Sequence, residues 1–236
     1  MRQRLIAVSL FLLTVRAVPT VAQTAAPQPQ PQPSAQASAP QPGPTPEMFW
    51  QALVTGNKEF MKGKLEYKDL ARERELLIPG QYPPMSILSC SDSRVPPELV
   101  FNQSLGSLFV VRSAGNVADT LGLASLEFAI TKKWTMLIVV LAHEDCGAIE
   151  ASMGLGDPDS PNLLALATRI RGSFWGIDWD PNDKEAVKKA TIANAKHSAA
   201  ALLAQSAIIR NAVASGTLRI IVAYYSMKTG EVTRVE

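Results

Sequence analysis

At 236 residues, 47% of them hydrophobic, the chain is long enough for one sizeable domain plus appendages. Its net charge of +2 belongs to the first 22 residues, which hold three arginines and no acid; without them 20 basic residues face 21 acidic ones, a net charge of −1. Basicity therefore gives no argument for a nucleic-acid partner, and none is expected.

Residues 1–22 have the anatomy of a secretory signal peptide: Arg2 and Arg4, an apolar run from Leu5 to Val15, then the small-residue site Thr20-Val21-Ala22. The apolar run is 11 residues, against the roughly 20 a membrane-spanning helix needs, so no stable membrane span is expected. The protein is expected to be exported, to a periplasm or beyond. Residues 23–46 carry eight of the 17 prolines with alanine, glutamine and serine and no charge, and are predicted to be a disordered linker. The folded domain is predicted over 47–236.

Met48, Leu53, Phe60 and Met61 predict an amphipathic helix interrupted near Gly56, and Leu70 to Leu77 a second short helix. Met85–Ser89, Leu108–Val111 and the apolar run from Met136 to Ala142 read as strands. Between them come a short helix at Glu98–Phe101 and a longer one that Asp119 would cap. Further helices are predicted just after Cys146, over Leu163–Ile170, and as one long segment from Asp183 to Ala214. Leu218–Tyr225 is a strand, and Thr229-Gly230 turns into a last strand at Val232–Val235. Apolar strands alternating with helices predict an α/β domain with a mostly parallel central sheet flanked by helices.

Both cysteines and one of the two histidines fall in two short stretches, Cys90-Ser91-Asp92-Ser93-Arg94 and His143-Glu144-Asp145-Cys146. Each follows a predicted strand, which places them at the edge of a parallel sheet where ligands bind. Thiolate and imidazole are the ligands Zn²⁺ prefers, so Cys90, His143 and Cys146 are expected to hold one zinc per chain. Two cysteines in an oxidising compartment also make a disulfide. A disulfide, however, has no need of Asp92, Arg94 and His143 at these spacings, and zinc is the favoured reading.

Three protein ligands leave a fourth position for water or for Asp92. Arg94 offers Asp92 a bidentate partner that turns the carboxylate from the metal, so Asp92 is a fourth ligand only in a closed state. An ionised Asp92 would accept a hydrogen bond from hydroxide on the zinc. Two thiolates cancel the metal's formal charge, which predicts weak acidification of water and an alkaline optimum.

The stretches CSDSRVPPE, VVRSAGNV and HEDCGAI closely resemble the β-class carbonic anhydrases, a similarity that runs over residues 47–236. The resemblance implies reversible hydration of CO₂ to bicarbonate and a proton by zinc-bound hydroxide, in a homodimer or higher homo-oligomer. It makes Cys90, His143 and Cys146 the zinc ligands and Asp92 and Arg94 the catalytic orienting dyad. Gln81, Phe109 and Gly147 become substrate-binding residues, and the N-terminal helix over Met48–Met61 a dimerisation arm.

Ala142 stands where the family usually has glycine, which would put a methyl group close to the metal. Ile87 stands where a subgroup with a non-catalytic bicarbonate site has tryptophan, so that regulation is not expected. Carbonyl sulfide and carbon disulfide are alternative substrates of the same chemistry. A disulfide-bonded, non-catalytic exported module is the competing class. Arg112 is assigned a structural role, His197 none, and Trp175 and Trp179 packing.

Overall fold

The computed structural model describes residues 43–65, 69–154, 158–174, 180 and 182–235. The expected signal peptide, most of the expected linker, and Trp175 and Trp179 lie outside the described residues. Five strands form one sheet: β1 (Met85–Ser89), β2 (Leu108–Arg112), β3 (Leu137–His143), β4 (Arg219–Tyr225) and β5 (Val232–Arg234). Eight helices accompany them among these residues: α1 (Pro46–Met61), α2 (Leu70–Leu76), α3 (Pro97–Val100), α4 (Thr120–Thr131), α5 (Gly147–Met153), α6 (Pro161–Arg171), α7 (Lys184–Gln205) and α8 (Ala207–Ala214).

The sheet order is β2-β1-β3-β4-β5, with the first four strands parallel and β5 antiparallel to β4. β1 and β3 are central and wholly buried, which is why β3 reads as a near-unbroken apolar run and the serines of β1 are buried too, whereas edge strand β2 is only half-buried. The chain leaves β1 toward β2 on one side and returns to β3 on the other. In this strand order the gap beyond the carboxyl ends of β1 and β3 is the topological switch point, where open α/β sheets bind ligands. Cys90 follows β1 and His143 ends β3, so both face that gap.

Strand alternation sorts the core into two layers. Ile87, Leu137, Val139 and Leu141 meet Trp50 and Leu53 of α1 and Val100 and Phe101 at α3. Leu88, Ile138, Val140 and Ala142 meet Leu126 of α4, Ala195 and Leu202 of α7 and Ile209 of α8. A third cluster, with Cys90, Cys146, Ile149, Ile170, Phe174 and Val187, closes the carboxyl end.

Two expectations are corrected. α1 is not interrupted at Gly56; it runs unbroken from Pro46 to Met61. The glycine is there because the helix crosses Phe101 so closely that a Cβ would stand 1.9 Å from the Phe101 carbonyl oxygen. The long helix expected over 183–214 is two, broken at Ser206. Ser206 is extended, its hydroxyl accepts from the Ile209 N–H at 3.1 Å to cap α8, and it also bonds Glu127 of α4. A serine inside an alanine-rich run is a weak signal until its partners are known. Asp119 caps α4 as expected, accepting from the Gly122 N–H at 2.7 Å.

Candidate metal centre

Cys90, His143 and Cys146 come together at the switch point, all buried, with their ligand atoms within 4.8 Å of one another. The two sulfurs are 3.9 Å apart and unbonded. Nδ1 of His143 lies 2.8 Å from the carbonyl oxygen of Glu144, to which a neutral ring donates. That leaves Nε2, the lone-pair nitrogen, toward the sulfurs. It is buried and has no hydrogen-bond partner. An orphaned buried ring nitrogen beside two sulfurs fits a metal ligand set, and two sulfurs with one nitrogen suit zinc. The contact between the sulfurs holds the Cys90 thiol well below the usual range and, together with burial, pushes the Cys146 thiol up.

Asp92 stands next to this cluster, with Oδ2 3.9 Å from His143 Nε2. Both carboxylate oxygens are held by Arg94, from Nε to Oδ1 at 2.9 Å and from Nη2 to Oδ2 at 2.7 Å, and the Arg94 backbone N–H adds a bond to Oδ1 at 2.9 Å. The guanidinium holds the Asp92 carboxyl down at about 2. Arg94 also donates to the Asp145 carbonyl at 3.1 Å, tying the two motif loops together. Asp145 has a φ of 50°, uncommon for a non-glycine residue, and its carboxylate pairs with Lys184 at 2.8 Å. Glu144 accepts from Ser226 Oγ at 2.8 Å and from the Lys228 N–H at 3.1 Å, anchoring the loop to the β4–β5 turn.

Gly147 begins α5 directly after Cys146, and nothing lies within 4 Å of where its Cβ would be, so bare backbone borders open space beside the ligand. Gln81 and Phe109 are elsewhere. Phe109 pairs with Ser86, four residues before Cys90, which at the usual strand rise is about 13 Å along the sheet. Exposed Gln81 precedes Pro83 and Pro84 at that same amino end of β1. A single chain therefore does not bring these two to the cysteines. Ala142 is buried among the α4 and α7 side chains, opposite in strand alternation to His143, so its methyl group does not crowd the cluster.

Arg112, read from the sequence as structural, has that role: its guanidinium braces the loop that carries the site, from Nε to the Cys90 carbonyl at 2.9 Å and from Nη2 to the Asp92 carbonyl at 2.6 Å. Gly115 was missed: in the 3-10 turn Ala114–Asn116 its N–H donates to Cys90 Sγ at 3.2 Å. The only signal was its place in the VVRSAGNV stretch. His197 is exposed on α7, away from these contacts.

The sequence profile of the family described as carbonic anhydrase matches residues 85–232. Carbonic anhydrase 2 of Mycobacterium tuberculosis is 34% identical over 189 residues, 78% of this chain and 90% of that protein. The carbonic anhydrase of Mycolicibacterium smegmatis is 33% identical over 194 residues, 79% of this chain and 92% of its own length. Among solved structures, a tetrameric β-carbonic anhydrase from Sordaria macrospora aligns with a TM-score of 0.64 at 21% identity, over 79% of this chain and 96% of that one. The Coccomyxa β-carbonic anhydrase in complex with acetazolamide aligns at 0.60 and 23%, over 78% and 84%. With its profile, its relatives and its fold in agreement, the chain belongs to the carbonic anhydrase family, on the fold of the β class.

Proposed function

We propose that this protein is an exported, zinc-dependent carbonic anhydrase that interconverts CO₂ with bicarbonate and a proton, and that it works as a homodimer or higher homo-oligomer. The observation that carries the chemistry is the buried Cys90–His143–Cys146 cluster, with its unpartnered ring nitrogen, beside an aspartate fully engaged by Arg94. Zinc held by these three residues would supply Lewis acidity that makes water a nucleophile, tempered by the two thiolates toward an alkaline optimum.

The chain's own groups do the rest. The bond from His143 Nδ1 to the Glu144 carbonyl fixes the tautomer and presents Nε2 as the donor atom. Asp92, ionised over the whole working range, can only accept a hydrogen bond and so orients the attacking oxygen. Arg94 grips both carboxylate oxygens of Asp92, which would keep the carboxylate from joining Cys90, His143 and Cys146 as a ligand.

The homo-oligomer rests on two observations. Gln81 and Phe109 sit at the wrong end of the sheet to serve their own cysteines, and a partner copy would supply them. Apolar surface is also left open: Tyr82, Trp134 and Phe128 stack edge to face, with Tyr82 73% exposed and Leu121, on the same face of α4 as Phe128, 78% exposed. Export rests on the signal-peptide pattern of residues 1–22; no helix among the described residues is long and apolar enough to cross a membrane.

The test is stopped-flow CO₂ hydration by metal-quantified protein. One zinc per chain with activity is expected, loss of both in Cys90→Ser, and loss of activity with zinc retained in Asp92→Asn. Zinc-loaded protein that leaves the CO₂ hydration rate at its uncatalysed value refutes the reading. Sedimentation of the same sample and amino-terminal sequencing of protein from the cell envelope check the oligomer and the cleavage after Ala22.

A further inference from the structure

The 3-10 turn Ala114–Asn116 touches no reacting atom, yet it is pinned from two sides. On one side the Gly115 N–H donates to Cys90 Sγ at 3.2 Å. On the other the Gly115 carbonyl accepts from Asn194 Nδ2 at 2.6 Å, across 79 residues of chain. Asn194 lies on α7, 1% exposed, and its Oδ1 accepts from Ser173 Oγ at 3.4 Å. The amide is thus engaged at both ends. Gly115 itself has a φ of 66°, and a Cβ there would stand 2.9 Å from Ile170 Cδ1, so the turn can sit this close to the cysteine only as glycine. Asparagine is a poor helix former, and its amide is costly to bury unless it is bonded. Its place among the alanines of the inward face of α7 is explained by what it holds.

We propose that Asn194 is a positioning residue for the metal centre: by holding the Gly115 carbonyl it keeps the Gly115 N–H on Cys90 Sγ and so sets the donor strength of that sulfur toward the metal. The proposal rests on the zinc reading above. An N–H directed at a thiolate draws electron density from it, and a metal bound by two thiolates stays a stronger Lewis acid when one of them is so restrained. Arg112 fixes the backbone of the same loop through the Cys90 and Asp92 carbonyls, whereas the Gly115 contact is made to the sulfur itself.

The probe is Co²⁺ in place of zinc, whose thiolate-to-metal absorption reports the sulfur directly. Asn194→Leu removes the donor at similar volume. Its thiolate band is expected to move to lower energy, as a sulfur relieved of the Gly115 N–H becomes the stronger donor. The isosteric Asn194→Asp sets an acceptor against the Gly115 carbonyl and moves the same band even if the leucine variant folds poorly. Ser173→Ala leaves the Asn194–Gly115 bond in place and keeps the parent spectrum. Asn57→Ala, a buried amide under the opposite sheet face, lowers stability and also keeps it. A parent-like band in both Asn194 variants overturns the proposal, as does an equal shift in Asn57→Ala. Parent protein that takes up neither zinc nor cobalt sinks the metal reading itself, a separate result.

Discussion

Gly56→Ala is a substitution for which helix propensity and tertiary structure give opposite signs. Alanine in place of glycine inside a helix ordinarily stabilises by about 1 kcal/mol. Here the new Cβ would lie 1.9 Å from the Phe101 carbonyl oxygen and 2.8 Å from its carbon, where real contacts are not seen below 3.0 Å. Both atoms are backbone, so no side chain can swing aside, and helix and loop must part by about 1 Å.

The neighbouring Asn57 cannot follow. Its Nδ2 donates to the Val100 carbonyl at 3.1 Å and the Gly230 carbonyl at 2.9 Å, and its Oδ1 accepts from the Val232 N–H at 2.9 Å. Parting by that distance stretches these three bonds beyond useful range. At about 1 kcal/mol each their loss is about 3 kcal/mol, and strained packing of Trp50 and Leu53 adds about 1 more. Against the propensity gain the net is a destabilisation of about 3 kcal/mol. Urea unfolding measures it as a lowered midpoint at unchanged slope. Asn57→Ala breaks the same bonds, so the double variant should be less destabilised than the two singles combined. A Gly56→Ala protein as stable as the parent, or strictly additive effects, refutes the reasoning.

The remaining predictions bear on the site and on the joint between α7 and α8. Asp92 has a carboxyl lowered from 3.8 to about 2, so its tie to Arg94 contributes stability that is fully present above pH 4 and lost as pH falls through about 2. The stability gap between parent and Asp92→Asn, followed by thermal unfolding, should hold from pH 6 to 4 and narrow toward pH 2; a gap that closes between pH 6 and 5 contradicts the assignment. Zinc should shield both thiols: the native loaded protein resists alkylation, and a chelator exposes two reactive cysteines per chain, counted by mass spectrometry. Reactivity unchanged by the chelator counts against Cys90 and Cys146 as ligands. Ser206→Ala removes the α8 cap and a bond to Glu127 and should cost about 2 kcal/mol in the same urea experiment, with zinc content unchanged.

Much of the fold was legible because local rules and tertiary demands coincide in it. β1 and β3 are buried at every position and covered on both faces, so Met85, Ile87 and Leu88 and the apolar run over residues 137–142 announce buried strands. Asp119 reads as a cap because an aspartate satisfies its own neighbour's N–H, a contact three residues long. Cysteine and histidine carry chemistry few other residues can, so Cys90, His143 and Cys146 stood out before any geometry was known. Asp92 and Arg94, two residues apart, declared their pairing the same way.

What the sequence left open concerns contacts between distant segments. Gly56 looks like a helix breaker until Phe101 is placed against it, and Ser206 looks like filler until Ile209 and Glu127 turn out to need it. Arg112 and Asn194 are ordinary residue types whose partners lie 22 and 79 positions away, so nothing local marks the one as holding the Cys90 loop or the other the Gly115 turn. Gln81 and Phe109 matched the family by position, yet strand register put them at the far end of the sheet. The sequence by itself determined the donor atoms, the strand ends that carry them and the aspartate beside them, since each depends on residue chemistry and short-range order. Only the tertiary structure decided which backbone groups steady those atoms, because a hydrogen bond across the chain depends on where the sheet and helices bring its two ends.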